Sequence, residues 1–182
     1  MPTTIQPTTD EFKIMSEYHR LFVKGGTYFF TVVSYDRQPL LCDGPALIRL
    51  KTAFRHVMDK HPYRMEGLVV LPDHLHCIWR HPEDNGNFSI RWNMLKRYFS
   101  IGMDSSTNKR REKTIWQRRF WEHLVRDEED LRRCLDYIHY NPVKHGYVKR
   151  PYDWDSSTFK QHVKRGFYDI SWGCNGEADA IK

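Results

Sequence analysis

Apolar residues recur along this chain with two different periods, and the points where the period changes mark its elements. Residues 1–20 are polar and carry no periodic apolar pattern, which predicts a flexible arm. Gly25-Gly26 then opens Thr27 to Tyr35, a run of Tyr, Phe, Thr and Val that reads as a strand. After a turn through Asp36, Gln38 and Pro39, residues 44–60 place Leu47, Leu50, Phe54 and Val57 at helical spacing. His61-Pro62 ends that helix, because the proline ring disfavours helical geometry in the residue before it. Arg64 to Leu71 and His74 to Arg80 read as two strands, and the Pro72-Asp73 turn between them makes an antiparallel hairpin. Beyond a loop over 81–87, Ser89 is placed to cap a second helix with Ile90, Met94, Leu95 and Tyr98 on one side. Residues 102–114 are polar and basic and predict a loop, followed by a fourth strand over Phe120 to Val125. Asp127, with Glu128, Glu129 and Asp130 behind it, starts a third helix, since carboxylates favour the positive end of a helix dipole. Pro142 predicts that this helix ends near Tyr140.

The order strand, helix, strand, strand, helix, strand predicts an α+β, ferredoxin-like antiparallel sheet with helices packed on one face. One domain is expected over 21–150, with the arm before it and a tail, 151–182, that packs on it or regulates it.

Composition narrows the class. The chain has 182 residues, 40% apolar and 29% charged, the balance of a soluble globular protein. No apolar run is long enough to span a membrane, and the first residues lack a secretory pattern, so a cytoplasmic protein is expected. Cys42, Cys77, Cys134 and Cys174 lie far apart, which argues against zinc knuckles and disulfide frameworks. A net charge of +6 and 14% aromatic residues fit a partner that is both polyanionic and flat, namely nucleic acid with unpaired bases.

The sharpest local feature is His74-Leu75-His76. On a strand His74 and His76 share a face while Leu75 points away, and two imidazoles so placed can hold one metal ion. Two ordinary histidines near a hairpin would look the same. The third helix carries Tyr137 with Asn141 at i+4, a phenol and an amide on one helical face. A half-buried tyrosine and a terminating asparagine would also fit, and Tyr140 and Tyr147 are rivals nearby. Lys109, Arg110, Arg111, Lys113, Arg118 and Arg119 crowd the basic loop and the start of the next strand, where they can contact phosphates. Arg91, Lys96 and Arg97 continue the track on the second helix. Trp116, Phe120 and Trp121 interleave with these cations, which suits stacking on splayed bases, although core packing is the stronger reading for Phe120 and Trp121.

His74-Leu75-His76, together with Asp136 to Gly146, resembles the single-tyrosine HUH transposases, and more closely their REP-associated tyrosine transposase branch in bacteria. Lys24 to Thr31 and Trp116 to His123 match two further blocks of that branch, so the likeness covers about residues 18–172. The resemblance implies an HUH endonuclease fold over 21–150 and a nuclease requiring a divalent metal, Mg²⁺ or Mn²⁺. It implies single-stranded DNA with hairpins from repetitive extragenic palindromes as substrate, and a monomer or homodimer in the bacterial cytoplasm, associated with the nucleoid. It makes His74 and His76 metal ligands, Tyr137 the nucleophile and Asn141 the third ligand, where transposon relatives carry the longer Gln. His123 falls inside a matching block, as a substrate contact or a packing residue. Free phenol titrates at about 10, so a nearby cation would help to ionise it. Attack at phosphorus would leave a 5′-phosphotyrosine that can be resealed. Two other readings fit the same residues: a catalytically silent hairpin-binding protein, and a metal-dependent RNA phosphodiesterase with a structural Tyr137.

Overall fold

The computed structural model describes residues 20–107 and 114–174. Four strands, β1 (Thr27–Val33), β2 (Arg64–Val70), β3 (His74–Arg80) and β4 (Trp121–Leu124), form one sheet in the order β2-β3-β1-β4. Every neighbouring pair is antiparallel. This is the ferredoxin-like order expected from the alternation of strands and helices.

Alternation along the strands sorts their side chains into two sets. Tyr28, Phe30 and Val32 of β1 and Leu75, Cys77 and Trp79 of β3 enter one core. Helices α1 (Gly44–Lys60) and α2 (Phe88–Ser100) cover this face with Leu50, Phe54, Val57, Trp92, Leu95 and Phe99. Trp79 stacks on Trp92 with ring centres 4.3 Å apart. Asp43 caps α1 by accepting from the Ala46 amide at 2.6 Å. The cap of α2 is Asn87, which accepts from the Ile90 amide, and not Ser89. Ser89 lies inside the first turn, where its hydroxyl takes a hydrogen bond from Arg20 instead.

Helix α3 (Glu128–Lys144) departs from the one-face layout and lies across the opposite face. Its Ile138, with Leu131 and Leu135, packs on Phe29, Val69, Leu71 and Ile78. The helix comes so close to β2 that a Cβ on Gly67 would sit 2.7 Å from a Leu135 methyl. The helix also continues through Pro142, contrary to the expected end near Tyr140. Pro142 stands only two residues from the last helical residue, so its missing N–H removes one bond near an end that is otherwise well closed. Gly146, at φ 72°, closes that end: its amide donates to the Val143 carbonyl and the Tyr147 amide to the Pro142 carbonyl. Asn141 therefore keeps helical geometry relative to Tyr137.

Residues 154–158 run along the outer edge of β2, and the chain after them packs on α3. The Val70 amide donates to Ser156 and the Thr158 amide to Leu68, while the Trp154 indole donates to the Val70 carbonyl. A short helix, α4 (Phe159–Lys164), buries Phe159, and the Tyr168 hydroxyl donates to Asp136 of α3 at 2.6 Å. Pairing this edge removes an exposed row of backbone donors and acceptors. Among the described residues no helix is long and apolar enough to cross a membrane.

Candidate active site

The face covered by α3 is where strand alternation puts the polar residues of β3. His74 and His76 are both buried there, with ring centres 5.0 Å apart. Each imidazole is held from behind at Nδ1. Asp73 lies 2.6 Å from that atom of His74, and the Thr31 hydroxyl lies 2.9 Å from that atom of His76. The Asp73 carboxylate only accepts, so His74 donates from Nδ1 and turns Nε2 the other way, whereas the Thr31 hydroxyl holds the His76 ring in either tautomer. His76 Nε2 is buried without a hydrogen-bond partner. Burial, reinforced by the positive charge that His74, His145, Lys144 and Arg37 can bring near, pushes the His76 pKa down to about 3. His76 is thus a neutral imidazole over the whole working range.

A strained turn supports this pair. Asp36 and Arg37, at φ 51° and 50°, are the non-glycine residues with left-handed backbone among the described residues. They bring Arg37 Nη1 to 2.9 Å from Asp73 Oδ2. Burial raises the Asp73 carboxyl, but hydrogen bonds from His74 and Arg37 outweigh it and hold the group below its ordinary range. An ionised Asp73 is what orienting His74 requires.

Helix α3 brings the remaining groups. The Tyr137 ring meets His76 edge-on at 5.2 Å and Phe29 at 5.8 Å, and the Lys144 ammonium lies 5.1 Å from its centre. Asn141, one turn on, is fully buried, and neither its oxygen nor its nitrogen has a hydrogen-bond partner. A buried orphan amide is expensive, and such groups are retained where something else completes them. Of the rival tyrosines, Tyr140 packs toward Trp172, while Tyr147 stacks on both Trp154 and His145 at the edge of the site without a ring contact to His74 or His76. His145 adds an exposed imidazole 5.3 Å from that of His74. The donor set, two imidazoles and one amide with unfilled capacity, fits a divalent cation.

A second place of metal-binding composition lies at the start of α3. One ligand atom each of His123, Asp130 and Cys134 falls within 4.8 Å of the others. Asp130 is already engaged there, by His123 at 2.9 Å and by the backbone and side chain of Arg126. Burial raises its carboxyl, yet those three contacts bring it down to about 2.

The expected DNA-binding residues divide sharply. Lys109, Arg110, Arg111 and Lys113 lie outside the described residues. Arg97, Arg118 and Arg119 are exposed. Arg91 is not a surface cation: it is 1% exposed and donates to the carbonyls of His61, Pro62 and Asn87, tying the end of α1 to the start of α2. Helical spacing put it beside Lys96 and Arg97 in sequence but on the inward side of α2. Lys96 is also spent internally, donating to the Gln117 carbonyl at 2.7 Å, and desolvation lowers its pKa to about 8. Trp116 is buried against Phe99 at 4.9 Å and offers no free ring face, while Trp121, expected in the core, is exposed. Asp73, Thr31 and Arg37, which hold the two imidazoles in place, carry no sequence signal that singles them out. Alternation applied to β4 as it was to β3 would have put Trp121 and His123 on one face.

A family model described as Transposase IS200 like matches residues 22–141. The chain is 45% identical over 158 residues to a REP-associated tyrosine transposase of Escherichia coli K12, covering 87% of this chain and 91% of that protein. It is 43% identical over 169 residues to a putative REP-associated tyrosine transposase of Haemophilus influenzae, covering 88% of this chain and 95% of the relative. A solved structure of a REP-associated tyrosine transposase bound to a REP hairpin superimposes with a TM-score of 0.76 at 45% identity, over 87% of this chain and 91% of that one.

Proposed function

The chain belongs to the IS200-like transposase family, and on that footing we propose that it cuts and rejoins single-stranded DNA at hairpins of repetitive extragenic palindromes, through a 5′-phosphotyrosine on Tyr137. The observation that carries the reading is the contact of the Tyr137 ring with His76, beside two buried groups, His76 Nε2 and the Asn141 amide, that lack partners. A relative with the same fold is known bound to a REP hairpin, which supports that substrate.

The residues that would hold the metal, Mg²⁺ or Mn²⁺, are His74 and His76 through Nε2 and Asn141 through its side-chain oxygen. When bound, such a cation polarises a phosphate and stabilises charge on its oxygens. Asp73 and Thr31 fix the imidazole rings, so that no reorientation is needed when substrate arrives. The Lys144 ammonium adds positive charge beside the phenol and draws the phosphate toward it. Tyr137 gives its hydroxyl proton to water and its oxygen bonds to phosphorus. The bond from phosphorus to the 3′ oxygen breaks, and that oxygen leaves as a hydroxyl after taking a proton. Reversal with a different 3′-hydroxyl joins strands, so a single side chain serves cutting and sealing. An enzyme of this kind works at the bacterial nucleoid.

The test is a covalent adduct. A labelled hairpin oligonucleotide with single-stranded arms, incubated with the protein and Mn²⁺ or Mg²⁺, is expected to yield a slower band on a denaturing gel. Tyr137→Phe is expected to lose it by on the order of 10³-fold or more. An adduct formed equally by Tyr137→Phe would assign the nucleophile elsewhere. No adduct from the wild type would leave a hairpin-binding protein, and cleavage of RNA without an adduct would favour a phosphodiesterase.

A further inference from the structure

Trp121 opens β4 with its indole 57% exposed, in a molecule that buries Trp79 and Trp92 completely. Two residues on, and so on the same face of the strand, the His123 imidazole lies parallel to it, with 6° between the ring planes and 6.0 Å between centres. The register says which face this is. Trp121 pairs with Thr31, and Thr31 pairs with His76. Directly opposed residues of an antiparallel pair project to the same side, so Trp121, Thr31 and His76 form a row across three strands. With neighbouring strands about 4.8 Å apart, the root of the indole stands roughly 10 Å from that of the His76 imidazole. One nucleotide spans such a distance from its phosphate to the far edge of its base.

The floor between the two ends is aromatic and continuous. Phe29 touches the Trp121 ring at 5.7 Å and the Tyr137 ring at 5.8 Å, and Tyr137 touches His76. The shelf is also held still, because His123 is bonded to Asp130 at 2.9 Å and Asp130 to Arg126. A ring fixed in advance loses little freedom when a base lands on it. Arg119 is exposed two residues before Trp121, where a backbone phosphate can meet it.

We infer that Trp121, backed by His123, is a stacking shelf for one unpaired base adjoining the phosphate that Tyr137 attacks. Stacking needs a base whose face is free, so the shelf accepts a single strand at this point and rejects an intact duplex. It is sequence-tolerant by itself, since every base offers a flat face, and it acts by positioning the strand. This inference rests on the proposed DNA reaction, and it is tested through binding so that the two can fail separately.

Binding of a fluorescein-labelled hairpin oligonucleotide with single-stranded arms is measured by anisotropy in the Tyr137→Phe background, where no covalent step intervenes. Adding Trp121→Ala is expected to weaken binding by about 5- to 100-fold, the range that base–aromatic stacking supplies, and Trp121→Phe by much less. Circular dichroism should show the same melting curve for all three proteins, because the indole is exposed. Abasic sites are then introduced one at a time along the arms. One position beside the cut should weaken binding to the Trp121-containing protein by the same factor and leave the Trp121→Ala protein indifferent. Binding unchanged by Trp121→Ala, or an abasic penalty equal in both proteins at every position, would overturn the inference even if the wild type forms its adduct. A change in oligomeric state on Trp121→Ala with DNA binding intact would instead make the indole a protein contact and overturn it equally.

Discussion

The two faces of this sheet are built by opposite rules from the same strands. Under α1 and α2 the side chains are large and mostly apolar, and Trp79, Trp92, Phe30 and Phe99 close that side; its unpartnered polar atoms are carried by aromatic rings, the Trp79 and Trp92 indole nitrogens and the Tyr63 hydroxyl among them. Under α3 the apolar contact is confined to Phe29, Val69, Leu71, Ile78 and Ile138. Beside that small patch, the same face buries His74, His76 and Asn141, with an imidazole nitrogen and a whole amide left unpartnered. Both faces bury polar atoms without partners, but on the first they belong to aromatic rings that fill the core, and on the second they are an imidazole nitrogen and an amide on the face that carries Tyr137. The lesson is that the dry face supplies the free energy that lets the wet face stay strained and incomplete.

Substitutions on each side sharpen this contrast. His76→Ala is expected to reduce adduct formation on the order of 10³-fold or more, with a melting temperature unchanged or raised, because a buried orphan nitrogen is removed. Trp92→Ala is expected to lower stability by about 3–5 kcal/mol in denaturant titrations while DNA binding by the folded fraction persists. If His76→Ala unfolded the protein as readily as Trp92→Ala, the division of labour between the faces would be wrong.

The arginines provide a smaller test. Arg91→Met, on the dry side, is expected to lower stability by about 1–3 kcal/mol, since it strands the carbonyls of His61, Pro62 and Asn87, and to leave the salt dependence of DNA binding alone. Arg119→Ala is expected to do the reverse: stability within about 0.5 kcal/mol of the wild type, and a log–log salt slope shallower by about one.

Acid should reveal the least difference between the faces. Burial above all holds His76, His81 and His139 down to about 3, 4 and 3, from the ordinary 6.5. As pH falls through 6.5 the unfolded chain takes up protons that the folded chain refuses until these lower values, so stability declines across that window. Thermal melts from pH 7 to pH 4 should show a steady fall. His139→Gln, whose wild-type side chain meets Thr158 rather than the metal-type site, should flatten the fall modestly without moving the activity profile.

Much of this was legible in the residues themselves. The strand and helix periods, the Pro72-Asp73 turn, the acidic start of α3 and the pairing of His74 with His76 all depend on near neighbours, and local rules suffice for them. The position of Asn141 at i+4 from Tyr137 was legible too, although Pro142 cast doubt on the helix that makes it meaningful. Pro142 proved tolerable because it stands close to an end already sealed by Gly146.

What local rules cannot say is which element covers which face. Periodicity makes Arg91 and Lys96 look like neighbours of Arg97, yet only the docking of α2 on the sheet turns Arg91 inward. It makes Trp116 and Trp121 look alike, but pairing with β1 leaves one ring packed on Phe99 and the other on the open face beside the histidines. The chain alone therefore determined the elements, their order and the residues able to do chemistry, because each follows from interactions within a few residues. The tertiary structure decided that α3 crosses the face opposite α1 and α2, and with it the contact of Tyr137 with His76 and the burial of Asn141. That choice depends on apolar area and register shared among segments far apart in sequence, where Gly67 admits Leu135 and Thr31 aligns Trp121 with His76.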